Sequence, residues 1–266
     1  MKFTKATNID QALVAKADDT EAEFLAGGTD LMVEVNLAHH RPRAVIGIDA
    51  VSELSEMSAD RIGAGVTWDR LENSPHRALA HLARTVGSPQ IRAAGTIGGN
   101  VATASPAGDG LPWIAAVDAG IEVASDARGT RVVPWSEFFI GVKRTSLAAD
   151  EMITSVVLPE DMPETQHFAK IGARNAMVIS TVSCVVTRGS DGFRIALGSV
   201  APTVVRARRA EQILNSEPTP STAALDALAT AVSEEIRPIT DHRSTEAYRR
   251  HAGGVLARRL VMRCLK

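Results

Sequence analysis

The chain has 266 residues, a formal net charge of −2, 45% hydrophobic residues and 23% charged residues. That length allows one large domain or two to three small ones with a sizeable core, and the interspersed charges leave no domain-wide basic footprint, which speaks against nucleic acid as a partner. The two cysteines, Cys184 and Cys264, stand far apart and in no metal-ligand spacing, so the pattern speaks against a zinc site or an iron–sulfur cluster held by this chain alone and fits a reducing compartment.

Met1 to Lys5 leads directly into mixed polar sequence, so no signal peptide is expected. No run approaches the roughly 18 apolar residues of a membrane span. A cytoplasmic protein is expected. Asn8-Ile9-Asp10-Gln11 reads as a capping box, with a short helix to about Ala17. Glu23-Phe24-Leu25 reads as a strand, Ala26 to Asp30 as a glycine turn, and Leu31 to Val35 as a helix. Ala44 to Asp49 is a second buried-type strand. The first fifty or so residues therefore form a small α/β unit.

Arg61 to Thr67 is the next predicted strand. A helix over Leu79 to Val86 stops at Gly87-Ser88-Pro89. Gln90 to Pro106 is short of helix signals and rich in small residues. Pro112 opens a helix through Asp118, and Gly120 closes it. Ile121 to Ala124 and Arg131 to Val133 pair as a hairpin about Asp126 to Gly129. Met152 to Leu158 is a strand, and Asp161 to Thr165 reads as a linker. Beyond it, Met177 to Thr187 reads as a long strand, Asp191-Gly192 as a hairpin turn, and Phe193 to Val200 as its partner. Helices follow near Arg206 to Leu214, Ser221 to Val232 and Thr245 to Leu265. Domains are expected at 1–55, 56–165 and 166–266.

Two glycine pairs are the candidates for chemistry. Gly27-Gly28 lies between a strand and a helix. Glycine tolerates positive φ and lets the backbone approach a ligand. Successive amides there can form an anion-binding nest, with Thr29 adding a hydroxyl. Gly98-Gly99 lies in Ala94-Gly95-Thr96-Ile97-Gly98-Gly99-Asn100, with Ser105 and Asp109 close behind. That stretch offers donors for phosphates and acceptors for sugar hydroxyls. Each loop alone is also consistent with an ordinary tight turn or a packed connection.

Other signatures are absent. The sequence has no P-loop and no nucleophile elbow, and Gly63-Ala64-Gly65 lacks the third glycine of a dinucleotide fingerprint. His39-His40, beside Arg41 and Arg43, reads as a solvated helix end. His76 and His81 read as structural, and Trp68, Trp113 and Trp135 as core or interface residues. The C-terminal arginines Arg249, Arg250, Arg258, Arg259 and Arg263 read as a solvated helix face.

Together the two loops are more specific than either alone. Leu25-Ala26-Gly27-Gly28-Thr29-Asp30-Leu31 and Gln90 to Asn100, followed by Ala104-Ser105-Pro106 and Asp109, resemble the two FAD loops of the flavin subunits of molybdenum hydroxylases. That group includes the medium subunit of carbon monoxide dehydrogenase and the flavin domain of xanthine dehydrogenase. Gly198 to Arg206 and Tyr248-Arg249 resemble the C-terminal segments of the same group. The resemblance implies an α+β fold, with a two-subdomain FAD-binding part of the vanillyl-alcohol-oxidase/p-cresol-methylhydroxylase type and a C-terminal α+β domain.

Carried over, Ala26, Gly27, Gly28, Thr29, Asp30 and Leu31 wrap the pyrophosphate. Thr96, Ile97, Gly98, Gly99 and Asn100 meet the pyrophosphate and neighbouring parts of the flavin. Ser105 and Asp109 take ribityl or ribose hydroxyls, and Lys170 lies close to the isoalloxazine. No side chain is needed as a catalytic acid or base. The resemblance further implies a separate iron–sulfur subunit, a separate molybdenum-cofactor subunit, and a dimer of heterotrimers. Electrons would leave to NAD, a quinone, another protein or dioxygen. Arg174 to Ser180 lacks the aromatic that some relatives place over the ring, which leaves the acceptor open. The other readings are a stand-alone FAD oxidoreductase acting on a small molecule, and a scaffold that keeps the fold without the flavin.

Overall fold

The computed structural model describes residues 1–175, 177–217 and 219–266. Ala176, inside the segment Arg174 to Ser180 noted above, lies outside the described residues. The first unit is β1 (Lys2–Lys5), α1 (Ile9–Asp18), β2 (Glu23–Leu25), α2 (Leu31–Asn36) and β3 (Ala44–Gly47). Its three strands pair in parallel in the order β1-β3-β2. Asn8 caps α1 by accepting from the Gln11 N–H at 2.9 Å, and the Gln11 side chain reaches back to the Thr7 N–H rather than to Asn8.

The second unit holds β4 (Arg61–Gly63), α3 (Trp68–Leu71), α4 (Arg77–Ala83), α5 (Pro89–Ala94), α6 (Ile97–Thr103), α7 (Gly110–Val117), β5 (Gly120–Ser125) and β6 (Gly129–Pro134). It continues with α8 (Trp135–Phe138), the small hairpin β7 (Phe139–Gly141) and β8 (Arg144–Thr145), and β9 (Met152–Val157). The sheet β4-β9-β5-β6 is antiparallel throughout.

The third unit has an antiparallel sheet of β10 (Thr165–Ile171), β11 (Val182–Gly189), β12 (Gly192–Gly198) and β13 (Val205–Arg206). It is backed by α9 (Arg208–Asn215), α10 (Thr222–Glu235) and α11 (Glu246–Cys264). Among the described residues no helix is long and apolar enough to cross a membrane.

Two apolar clusters hold these units. One joins the first two sheets through Ile46, Leu54, Ile62, Trp68, Val101, Trp113 and Phe138 and reaches Phe168. The other lies between the third sheet and its helices, around Cys184, Leu197, Leu228 and Leu260. Side chains alternate across a strand. Val185 and Ala196 accordingly face the first cluster, while Cys184 and Leu197 face the second. α7 packs against β11 and β12. Every residue of α7 is buried, which fits its all-apolar sequence.

Three expectations need correction. Gln90 to Pro106 is mostly helical, as most of α5 and all of α6. Ser88 and Thr96 cap these helices through the N–H groups of Ile91 and Gly99. The glycines of α6 have low helix propensity, but burial of Ile97 and Val101 overrides it. The strand expected from Met177 starts only at Val182. β10 begins at Thr165, inside the expected linker, and buries Gln166 and Phe168 on one face.

Candidate flavin site

β2 and α2 fix the two ends of the first glycine loop. Gly28 has φ +67°, a left-handed conformation that favours glycine. A Cβ on Gly27 would stand 1.7 Å from the Ala94 carbonyl oxygen, so the loop lies directly on the end of α5. A Cβ on Gly95 would meet Thr29 Oγ1 at 3.1 Å. The two glycine loops are therefore stacked on each other. Asp30 extends this contact, accepting from Thr103 Oγ1 at 3.2 Å. Among the described residues, the N–H groups of Gly27, Gly28 and Thr29 donate to no protein acceptor. Unmet amides in a turn of this kind suit an anionic ligand.

The amides of the second loop are already engaged. Ile97 N–H donates to Val66 O at 3.0 Å and Gly98 N–H to Ala64 O at 2.9 Å. Gly99 N–H donates to Thr96 Oγ1 at 3.0 Å, and Asn100 N–H to Thr96 O at 3.1 Å. Gly98 has no room for a side chain, because its Cβ would sit 2.5 Å from that of Ala64. Gly99 is exposed and meets only Thr96 Oγ1. It offers a bare backbone surface. Asn100 Oδ1 is buried without a partner and faces Gly110. An orphaned acceptor of this kind marks a place where a ligand group or water is needed.

The loops border a groove of about 760 Å³, within the size range of cofactor sites. Ala26 to Leu31, Thr96, Gly98, Gly99, Asn100 and Ser105 all line it. Ile97 does not, because its side chain is fully buried in the core. Asp109 and Lys170 are not on its wall. Lys170 Nζ donates to Asp109 Oδ2 at 2.7 Å, to Thr85 O at 2.9 Å and to Val178 O at 3.2 Å. Ser180 Oγ donates to Asp109 Oδ1 at 3.2 Å. Both carboxylate oxygens are thus engaged. Burial pushes the Asp109 carboxyl above the usual range, against the opposing pull of Lys170 and Ser180.

The groove also has lining residues that sequence reasoning missed. Lys16, Phe24, Leu147, Ala148, Glu151 and Met152 form one group, and Val86, Ile91 and Ile179 another. Lys16 Nζ donates to Thr20 O and Ala22 O and lies 5.6 Å from the centre of the Phe24 ring. Burial lowers its pKa, opposed by Glu23, Asp19 and Asp150. Hydrogen bonds from Arg131 hold the Glu151 carboxyl at about 2, against the cost of its burial. No motif in the sequence marks these positions. They come from α1, β2, α5, the start of β9 and the loops between elements, which only the fold brings to one groove.

Free amides, a left-handed glycine, an open glycine surface and a groove of cofactor size together fit a dinucleotide with a pyrophosphate. Residues 1–161 match the family described as "FAD binding domain in molybdopterin dehydrogenase", and residues 167–264 match "CO dehydrogenase flavoprotein C-terminal domain". The chain belongs to the FAD-binding subunits of the molybdenum hydroxylases.

It is 30% identical to the xanthine dehydrogenase FAD-binding subunit of Escherichia coli O157:H7, over 97% of this chain and 94% of that one. It is 30% identical to the carbon monoxide dehydrogenase medium chain of Hydrogenophaga pseudoflava, over 91% and 88%. A solved structure of carbon monoxide dehydrogenase from the same organism superposes with a TM-score of 0.90 at 28% identity, covering 98% of this chain and 96% of that one. The expected FAD-binding part followed by a C-terminal flavoprotein domain is what this flavin subunit has.

The three tryptophans are buried, as expected. Not all of the C-terminal arginines are solvated. Arg249 is buried and donates to Thr181 O, Ser199 O and Asp241 Oδ1. Arg249 lies on the face of α11 that stays buried along its length, with Gly253, Leu256, Leu260 and Cys264, whereas Arg259 and Arg263 stand on the exposed face.

Proposed function

We propose that this flavin subunit holds one FAD non-covalently in the groove and carries electrons from a separate iron–sulfur subunit to a final acceptor. A separate molybdenum-cofactor subunit would oxidise the organic substrate, in a cytoplasmic dimer of heterotrimers. The observation that carries this reading is the row of unmet amides at Gly27, Gly28 and Thr29 on the wall of the 760 Å³ groove. In this reading those amides and the Thr29 hydroxyl hold the pyrophosphate. Ala26, Asp30 and Leu31 shape the turn. Thr96, Gly98, Gly99 and Asn100 form the facing surface, with Ile97 as its core anchor. Ser105 takes a hydroxyl of the cofactor.

Asp109 and Lys170 support the site as a buried ion pair, holding the Val178 carbonyl and the Ser180 hydroxyl on either side of Ile179, which lines the groove. The division at 1–55, 56–165 and 166–266 assigns the first loop to one subdomain, the second to the next, and Lys170 to the third. When bound, FAD supplies reversible storage of two electrons. The chain's own residues place it, cover its phosphates and exclude water; none is assigned a proton transfer.

The test is a visible absorption spectrum of the purified chain, followed by heat release and identification of the cofactor. Close to one FAD per chain is expected. A protein that stays colourless after incubation with FAD, alone and with its co-expressed partner subunits, would overturn the reading in favour of the scaffold alternative.

A further inference from the structure

Arg77 and His81 of α4 and its C-cap Arg84 stand at the spacing i, i+4, i+7, which places them along one helix face about 10 Å long. All are exposed, while Ala78, Leu79, Leu82 and Ala83 bury the opposite face. Two more basic residues flank this stripe. His167 stands on β10 and Arg263 at the end of α11, with the Arg263 backbone near enough to bear on the His167 ring. Behind them is an apolar wall, with the His81 ring edge-on to buried Phe168 at 5.7 Å. The patch therefore crosses the seam between the second and third units.

The patch lacks counter-charge. Among the described residues no Asp or Glu side chain pairs with Arg77, His81, Arg84, His167 or Arg263. Glu72, just before α4, spends its carboxylate on Arg92 and gives Arg84 only its carbonyl. Like charges held together without counter-ions repel, and an anionic partner relieves that repulsion. The patch also adjoins the groove. Arg84 is followed by Thr85, whose carbonyl accepts from Lys170, and by Val86, which lines the groove beside Ile91 and Ile179.

We propose that this stripe is the docking surface for a carboxylate-rich face of the separate iron–sulfur subunit, which it brings to the Val86–Ile91–Ile179 part of the flavin groove. The proposal rests on the partner reading given above. The surface is exposed and runs over three elements, which suits a protein face better than a small anion. Docking is linked to protons. Burial first, then Arg263, Arg84 and Arg77, lower the pKa of His81. Burial, Arg77, Arg263 and His81 lower that of His167, with the Arg263 backbone opposing. Carboxylates from a partner raise both, so the complex binds more protons than the free chain. Association then tightens as pH falls from about 8 to about 6.

The test uses the FAD-loaded chain and the purified iron–sulfur subunit, with affinity measured across salt concentration and at both pH values. The Arg77→Glu/Arg263→Glu variant is expected to keep its FAD content and to bind about tenfold or more weakly, with a flatter salt dependence. The His81→Gln/His167→Gln variant is expected to lose the tightening between pH 8 and pH 6. Unchanged affinity and salt dependence in the charge-reversal variant, with wild type binding normally, would overturn the docking surface and leave the partner reading standing. The same holds if the reversal weakens only self-association or the binding of a free dinucleotide. A wild-type chain that does not bind the iron–sulfur subunit at all overturns the partner reading and the docking surface together.

Discussion

The two glycine loops look alike in sequence and do opposite work. In the first, the chain turns through a left-handed Gly28 and leaves the amides of Gly27, Gly28 and Thr29 without protein acceptors. In the second, the N–H groups from Ile97 to Asn100 are all satisfied by Val66, Ala64 and Thr96. There glycine serves close packing at Gly98 and a bare surface at Gly99. A glycine pair in a sequence reports that backbone must come near something. Whether that is a ligand or the protein's own chain depends on where the amides point.

The largest expected effect comes from beneath the second loop. Asp109 starts the turn into α7, whose Gly110 packs on Asn100. Lys170→Met would leave the Asp109 carboxylate buried and unpaired, at a cost of about 3–5 kcal/mol. Because the Asp109 carboxyl already sits above its ordinary range, protonation relieves the variant. Its loss of thermal stability should be greatest near neutral pH and shrink toward acid. A pH-independent loss would mean that the pair does not carry the charge we assign it.

Next is Gly27→Val. A Cβ there collides with the Ala94 backbone, and backbone cannot rotate away. The two loops must separate, so FAD content measured after gel filtration should fall to near zero, with overpacking costing about 1–3 kcal/mol. Full FAD content in this variant would break the assignment of the first loop.

Gly99→Ala sharpens the contrast. Its backbone is not left-handed, and its Cβ meets only Thr96 Oγ1 at 3.2 Å. Stability should change by about 0.5 kcal/mol or less, while FAD affinity drops because a methyl now stands on the open face. An unchanged affinity would mean that no ligand lies against Gly99.

The smallest effect is expected at the edge of the groove. The Glu151 carboxyl is held at about 2, below its ordinary 4.5, by Arg131. A depressed carboxylate contributes stability above its unfolded pKa and loses it as pH falls through its folded pKa. The stability gap between wild type and Glu151→Gln should therefore be full near neutral pH and close between about pH 4.5 and pH 2. A gap that persists to pH 2, followed by chemical unfolding, would remove Arg131 as its cause.

Much of this was legible in the residues alone. The order strand, glycine turn, helix around Gly27-Gly28 is local, as are the Asn8 cap, the Asp191-Gly192 hairpin and the three C-terminal helices. All of these depend on neighbours within a few residues. The family resemblance of the two loops and the absence of a metal-ligand cysteine pattern could also be read directly. By contrast, the burial of Arg249 and the counter-charge of Lys170 were not local properties.

Lys170 meets Asp109 across 61 positions of sequence, and Arg249 meets Thr181 across 68. The stacking of Gly27 on Ala94 likewise joins distant parts of the chain. Sequence set which residues could form a phosphate-binding turn, because glycine's conformational range and the capping side chains act on their own backbone. Tertiary structure decided which amides were left free and which charges were buried in pairs, because a hydrogen bond made across the fold removes a donor that the local sequence still offers.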